Sequence, residues 1–396
     1  MLRLGACLMA LCAAAWAQND AQTDRFKVEV GGESRKGGVL YPKDLRKGEV
    51  LPLVVAVHDT TGKAFTELDQ WSVFAIKHRF AVVSVDCQSP VGWAVSDQLV
   101  MQRDMEAVEL SIEEAKKTLA IDDTAIVIRG HLGGTYLALW MGVRRPDLFL
   151  GVCGSSCVFY KEMALTEKER KSIDPNQAIF LYRGELDTPR LIKETEWARD
   201  AFQEAGFSRV AYTIVPKTSN VANPDVFAAW YAKLLKETEK GRKTLRKARE
   251  SIVRLREEIA SGPKPTTYRE LESLAEQDKK NGTRSGAGEL LDGILAKAGD
   301  TMKRGRDSEA NHHFVEAAQY YKEVADAYAP LAISKEATKE RLRIIRSDEY
   351  KADEMLQEAL RLKESGEGEK SITLLEKLLA QYPATPAATS AKRLVG

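Results

Sequence analysis

The residues best placed to do chemistry lie in one short run, Gly130-His131-Leu132-Gly133-Gly134-Thr135. Before it, Ala125 to Ile128 is apolar and β-branched enough to be a buried strand; after it, Tyr136 to Val143 has a helical apolar pattern that stops at Arg144-Arg145-Pro146. Strand, glycine turn and helix are the setting of a nucleophile elbow, Gly-x-Ser-x-Gly, which lifts a serine hydroxyl above the end of a sheet. Here leucine, Leu132, stands at the serine position. Acyl transfer by that route needs a hydroxyl, a base to take its proton and an acid to orient the base, in the chain order nucleophile, acid, base. The histidines are His58, His78, His131, His312 and His313. None follows Asp187 within the part of the chain that reads as a sheet domain, so the base position has no imidazole.

Two other chemistries use the same residues. Thr60, Thr61 or Thr135 could act as nucleophile with His58 or His131 as base, but Thr135 reads rather as capping or packing the helix and the other two as an ordinary turn. His58, Asp59, His131 and Asp187 could meet at the strand ends and hold a metal, but nothing has the Cys/His spacing of a zinc site. Neither a metal nor a cofactor is expected.

The elements that must position these residues alternate. Phe26 to Val30 and Gly37 to Tyr41 read as a hairpin, and Leu51 to Val57 as a buried strand ending in His58-Asp59-Thr60-Thr61-Gly62. A helix over Thr66–His78, a strand Ala81–Val85 and a long amphipathic helix Val100–Leu119 follow, with apolar residues at 3–4 spacing. After the elbow come strands at Leu148–Cys153, Ala178–Tyr182 and Val210–Val215, with a helix Arg190–Ala205 between the last two. This alternation predicts an α/β fold with a doubly wound, mostly parallel sheet. A helix from Val226 to Ile259 leads out of it. Its basic residues are interleaved with glutamates, as on a solvated face.

The order of motifs over residues 24–236 resembles the α/β-hydrolase fold, and within it the secreted esterases related to polyhydroxybutyrate depolymerases and feruloyl esterases. The resemblance implies an oxyanion loop at His58-Asp59, where the family has His-Gly. It also implies an acid at Asp187, in Gly184-Glu185-Leu186-Asp187, and a histidine position occupied by Asn220. On this mapping Leu132, Asp187 and Asn220 are the places of a degenerate triad. His58, Asp59, His131, Gly133 and Thr135 then line the old oxyanion loop and pocket. The strained elbow is expected to relax once it carries leucine, dropping that side chain into the pocket floor.

Residues 237–288 read as a charged helical linker, interrupted at Ser261-Gly-Pro-Lys-Pro265 and at 281–288. Residues 289–396 read as all-helical with an internal echo: 317–328 matches 371–382, 54 residues on. Ala359 to Pro383 resembles a tetratricopeptide hairpin, with Gly366 in the turn, Ser371 at the small-residue slot and Leu378 packing. Such repeats imply a protein partner bound through the C-terminal helices.

A chain of 396 residues with 44% hydrophobic content can bury more than one core. Its net charge of +1 gives no global field toward nucleic acid or a membrane. Residues 1–17 read as a cleaved secretory signal: Arg3, an apolar stretch, then Ala15-Trp16-Ala17, leaving Gln18 first and no transmembrane segment. That implies a secreted or periplasmic protein. Cys87, Cys153 and Cys157 then remain, either as one bridge with a third thiol or as buried thiols. Together these features predict an exported, non-catalytic hydrolase-fold protein that binds or scaffolds, with a possible small ligand in the old cleft. The alternative is a carboxylester hydrolase with a non-standard nucleophile or base.

Overall fold

The computed structural model describes residues 20–60, 62–88, 93, 97–160, 163–170, 173–220, 224–281 and 284–395. The expected signal, its cleavage site at Ala17/Gln18, and Thr61 lie outside them. Two compact units divide the chain, Met1–Arg246 and Lys247–Gly396.

In the first unit the strands are β1 (Ala21–Val30), β2 (Glu33–Pro42), β3 (Leu51–Val57), β4 (Ala81–Val85), β5 (Ile121–His131), β6 (Gly151–Ser155), β7 (Ala178–Gly184) and β8 (Val210–Val215). They form one sheet in the order β1-β2-β4-β3-β5-β6-β7-β8. β2 runs antiparallel to β1 and β4, and every pairing from β4 to β8 is parallel. This is the doubly wound, mostly parallel sheet expected, in the α/β-hydrolase order. The interior strands β3, β4 and β7 are almost uniformly apolar because both faces are covered. β8, at the sheet's edge, is only partly buried.

The helices are α1 (Ala64–Asp69), α2 (Ser72–His78), α3 (Gln98–Thr118), α4 (Gly134–Arg144), α5 (Glu167–Arg170), α6 (Pro189–Glu204) and α7 (Pro224–Ser261). Helices α3, α4 and α6 bury Val108, Ile112, Leu137, Met141, Ala198 and Phe202 on one face of the sheet. On the other, α1, α2 and the first turns of α7 bury Leu68, Ala75, Phe227, Tyr231 and Leu234. The single helix expected over Thr66–His78 is two. Trp71 sits at the break, 1% exposed and edge-on to Phe80 and Phe227, while its Nε1 donates to Glu67 Oε1 at 3.0 Å. The break lets the indole enter the core and turns Glu67 inward.

In the second unit, the end of α7 is followed by α8 (Pro265–Asn281), α9 (Ala287–Ala310), α10 (Phe314–Ala327), α11 (Ala332–Ile345), α12 (Asp348–Glu364), α13 (Gly368–Gln381) and α14 (Pro386–Val395). The segment 237–288, expected as a linker, is not one throughout. Ile252, Leu255, Tyr268 and Leu271 are buried with Ala287, Ile294 and Leu331 in one apolar cluster, so the helices from Lys247 onward belong to this unit. Hidden among charged residues, their apolar stripe is narrow. At the α12–α13 turn Gly366 takes a φ of 83°, and Ser371 Oγ donates to Ala359 O at 2.7 Å. Among the described residues no helix is long and apolar enough to cross a membrane.

Candidate functional site

The ends of β3, β5, β6, β7 and β8 gather the predicted residues. Leu132 follows β5 with a φ of 47°, in the left-handed region that favours glycine. The elbow has therefore not relaxed, contrary to expectation. Its shape is set by backbone packing: a Cβ on Gly134 would come within 2.4 Å of Val57 O, and one on Gly130 within 2.4 Å of Gly134 O. With the turn locked between β3 and α4, residue 132 has no freedom to leave the strained conformation. Leu132 is half-buried, not sunk into a pocket floor.

An oxyanion hole in such an elbow is made by the amide after the nucleophile and an amide of the loop after β3. Here Gly133 N and Thr60 N both donate to Asp59 Oδ1, at 3.0 and 2.6 Å, and Thr60 Oγ1 lies 3.2 Å from the same atom. The carboxylate of Asp59 thus occupies the place where two backbone donors would meet an oxyanion. His58 does structural work. Its Nε2 accepts from Cys87 N (3.2 Å), so its proton is on Nδ1, which donates to Asp59 O (2.7 Å). Burial lowers its pKa and keeps the ring neutral.

Asp187 and Asn220 are brought together by the loops after β7 and β8. Asn220 N donates to Asp187 Oδ1 at 2.6 Å, and Leu186 N donates to Thr218 O at 2.8 Å. Gly184 is required there, since a Cβ would lie 2.3 Å from Thr218 O. Asp187 is 5% exposed, and its Oδ2 is buried without a hydrogen-bond partner among the described residues. Asn220 is exposed and also left-handed, at a φ of 47°.

Around His131 the structure adds two residues that the motif frame did not single out, Ser155 and Arg129. His131 Nδ1 lies 2.9 Å from Ser155 Oγ, and its Nε2 lies 3.1 Å from Asn220 O. A carbonyl oxygen only accepts, so Nε2 carries the proton and Nδ1 accepts from the serine hydroxyl. Ser155 Oγ also accepts from Arg129 at 3.1 Å. Arg129 is fully buried, paired with Glu67 at 2.9 Å, and has its guanidinium carbon 5.1 Å from the Trp71 ring. A lone arginine after Ala125–Ile128 was the sequence signal for this network; Ser155 gave none, because β6 was expected to end at Cys153.

Ser155, His131 and the Asn220 carbonyl have the connectivity of nucleophile, base and orienter. Two properties work against catalysis there. Ser155 is 0% exposed. Burial first, and then the Arg129 guanidinium, push the His131 pKa down to about 4, which leaves a poor base at neutral pH. Thr135 is fully buried too, and its hydroxyl bridges Leu132 O and Val158 N. Cys87, Cys153 and Cys157 form no disulfide among the described residues, and burial pushes the thiols of Cys87 and Cys153 up to about 11 and about 12. No group of three His, Cys, Asp or Glu side chains among the described residues is placed to hold a metal, so His58, Asp59, His131 and Asp187 do not converge as a ligand set.

The strand order defines the class, an α/β-hydrolase fold with a helical C-terminal region. No family model matches the chain, and neither does any curated protein. Solved structures similar to it include the esterase Est22, at 16% identity and a TM-score of 0.44 over 56% of this chain and 81% of that one. A ferulic acid esterase is 13% identical, with a TM-score of 0.40 over 55% of this chain and 96% of that one. An esterase of Rhizomucor miehei is 19% identical, with a TM-score of 0.43 over 58% of this chain and 90% of that one.

Proposed function

We propose that the strand-end crevice is a retired acyl-transfer site and that the protein is a binding or scaffolding protein of the cell exterior or periplasm. Leu132, Asp187 and Asn220 are its former nucleophile, acid and base positions. The observation that carries this reading is the Asp59 carboxylate on Gly133 N and Thr60 N: the donors that would stabilise a tetrahedral intermediate already hold a negative charge. Asp187 Oδ2, buried with no hydrogen-bond partner among the described residues, supports it as an acid without an imidazole. The C-terminal helices, with their tetratricopeptide-like hairpin at α12–α13, supply the surface for a protein partner. The crevice supplies at most a place for a small ligand.

A second reading is favoured by one observation, the 2.9 Å contact of Ser155 Oγ with His131. In it the chain is a carboxylester hydrolase whose nucleophile has moved one strand over. A fluorophosphonate probe and a short-chain aryl ester separate the two. The expected outcome is no labelling and no turnover by the wild type. Weak turnover should appear when Leu132→Ser, Asn220→His and Asp59→Gly are combined. Stoichiometric labelling of the wild type, abolished by Ser155→Ala, would establish the second reading instead.

A further inference from the structure

The hairpin at the edge of the sheet carries charges that folding does not call for. Lys27 of β1 lies directly opposite Lys36 of β2, and like charges so placed oppose strand pairing. Arg25 is two residues from Lys27, hence on the same face, with its guanidinium carbon 4.6 Å from the centre of the Phe65 ring. All three cations are exposed, and none makes a salt bridge or a side-chain hydrogen bond among the described residues. Glu29, the next residue of β1 on that face, stands opposite Ser34 and pairs with neither lysine. Arg25, Lys27 and Lys36, with Phe26 and Phe65, line a hollow of about 510 Å³ that has no acidic residue in its described lining. That volume is in the range of small-molecule sites, ~300–1,000 Å³.

We propose that this hollow binds a small organic anion built on an aromatic ring. The anionic group sits between the ammonium groups of Lys27 and Lys36, which relieves their mutual repulsion. The ring lies against Phe65 and the face of the Arg25 guanidinium, already a cation–π platform. Charge complementarity selects the anion and the phenyl surface selects the ring. The site is separate from the strand-end crevice and does not depend on what that crevice does.

Calorimetric titration of the whole protein tests this with 2-naphthoate, against 2-naphthylmethanol as a neutral ring and acetate as an anion without one. Naphthoate should bind, and each control at least about tenfold more weakly. Lys27→Glu places opposite charges across the hairpin, so it should raise the melting temperature of the free protein while weakening naphthoate by at least about tenfold. Lys36→Gln, which removes a charge without adding one, should weaken it in the same direction. Absence of naphthoate binding, wild-type affinity in both variants, or equal affinity for the neutral alcohol would each overturn the proposal.

Discussion

A carboxylate held by two backbone amides competes with any charge those amides could stabilise during reaction. On the proposed reading, Leu132→Ser by itself should not restore acyl transfer, since Gly133 N and Thr60 N still donate to Asp59. His131 belongs to the same scale. Its folded-state pKa of about 4 lies below the ordinary 6.5, so the unfolded chain binds the extra proton between those values. The associated stability is complete above pH 6.5 and is lost as the pH falls toward 4. In urea unfolding, His131→Gln should lose about 2 kcal/mol less than the wild type on going from pH 7 to pH 4.5. Equal losses in the two proteins would show that folding leaves the His131 pKa at its ordinary value.

At the scale of elements, the turn that carries Leu132 is held by backbone packing. The turn between β5 and α4 brings main chain against the end of β3, closer than any side chain allows at Gly130 and Gly134. Leu132 bears left-handed backbone strain, ordinarily worth about 1–3 kcal/mol, because that packing leaves no alternative. Gly134→Ala should cost about 2–3 kcal/mol or prevent folding, because its methyl would meet the carbonyl oxygens of Val57 and His58. Gly133→Ala should cost less, since the atom in its way is the end of the Thr60 side chain. Thermal unfolding of both variants gives the comparison, and equal costs would contradict it.

At the scale of the whole molecule, the two units bury separate apolar clusters, one on each face of the sheet and three along the C-terminal helices. Within the first unit, α7 is pinned beneath the sheet by Asp122 at the start of β5, which accepts from Arg242 at 2.6 Å and Arg246 at 2.7 Å. Asp122 is 7% exposed, so Asp122→Asn strands a largely buried arginine at a cost of about 3 kcal/mol. Scanning calorimetry should show two transitions, with Asp122→Asn lowering only that of the sheet unit, by roughly 6–12 °C. A single transition, or an equal shift of both, would mean that the units unfold together.

The sequence determined the alternation of elements, because strands buried on both faces and helices with one apolar stripe leave distinct periodicities. It also placed Leu132, Asp187 and Asn220 at the ends of β5, β7 and β8, since glycine turns and strand ends are local features. Tertiary structure decided what those ends do. Whether Asp59 points at solvent or at Gly133 N depends on how two loops 74 residues apart pack. The contact of Ser155 with His131 and the opposition of Lys27 and Lys36 likewise depend on strand register. Local pattern carries the period of an element, whereas hydrogen bonds and charge pairs across the sheet exist only once the strands are aligned.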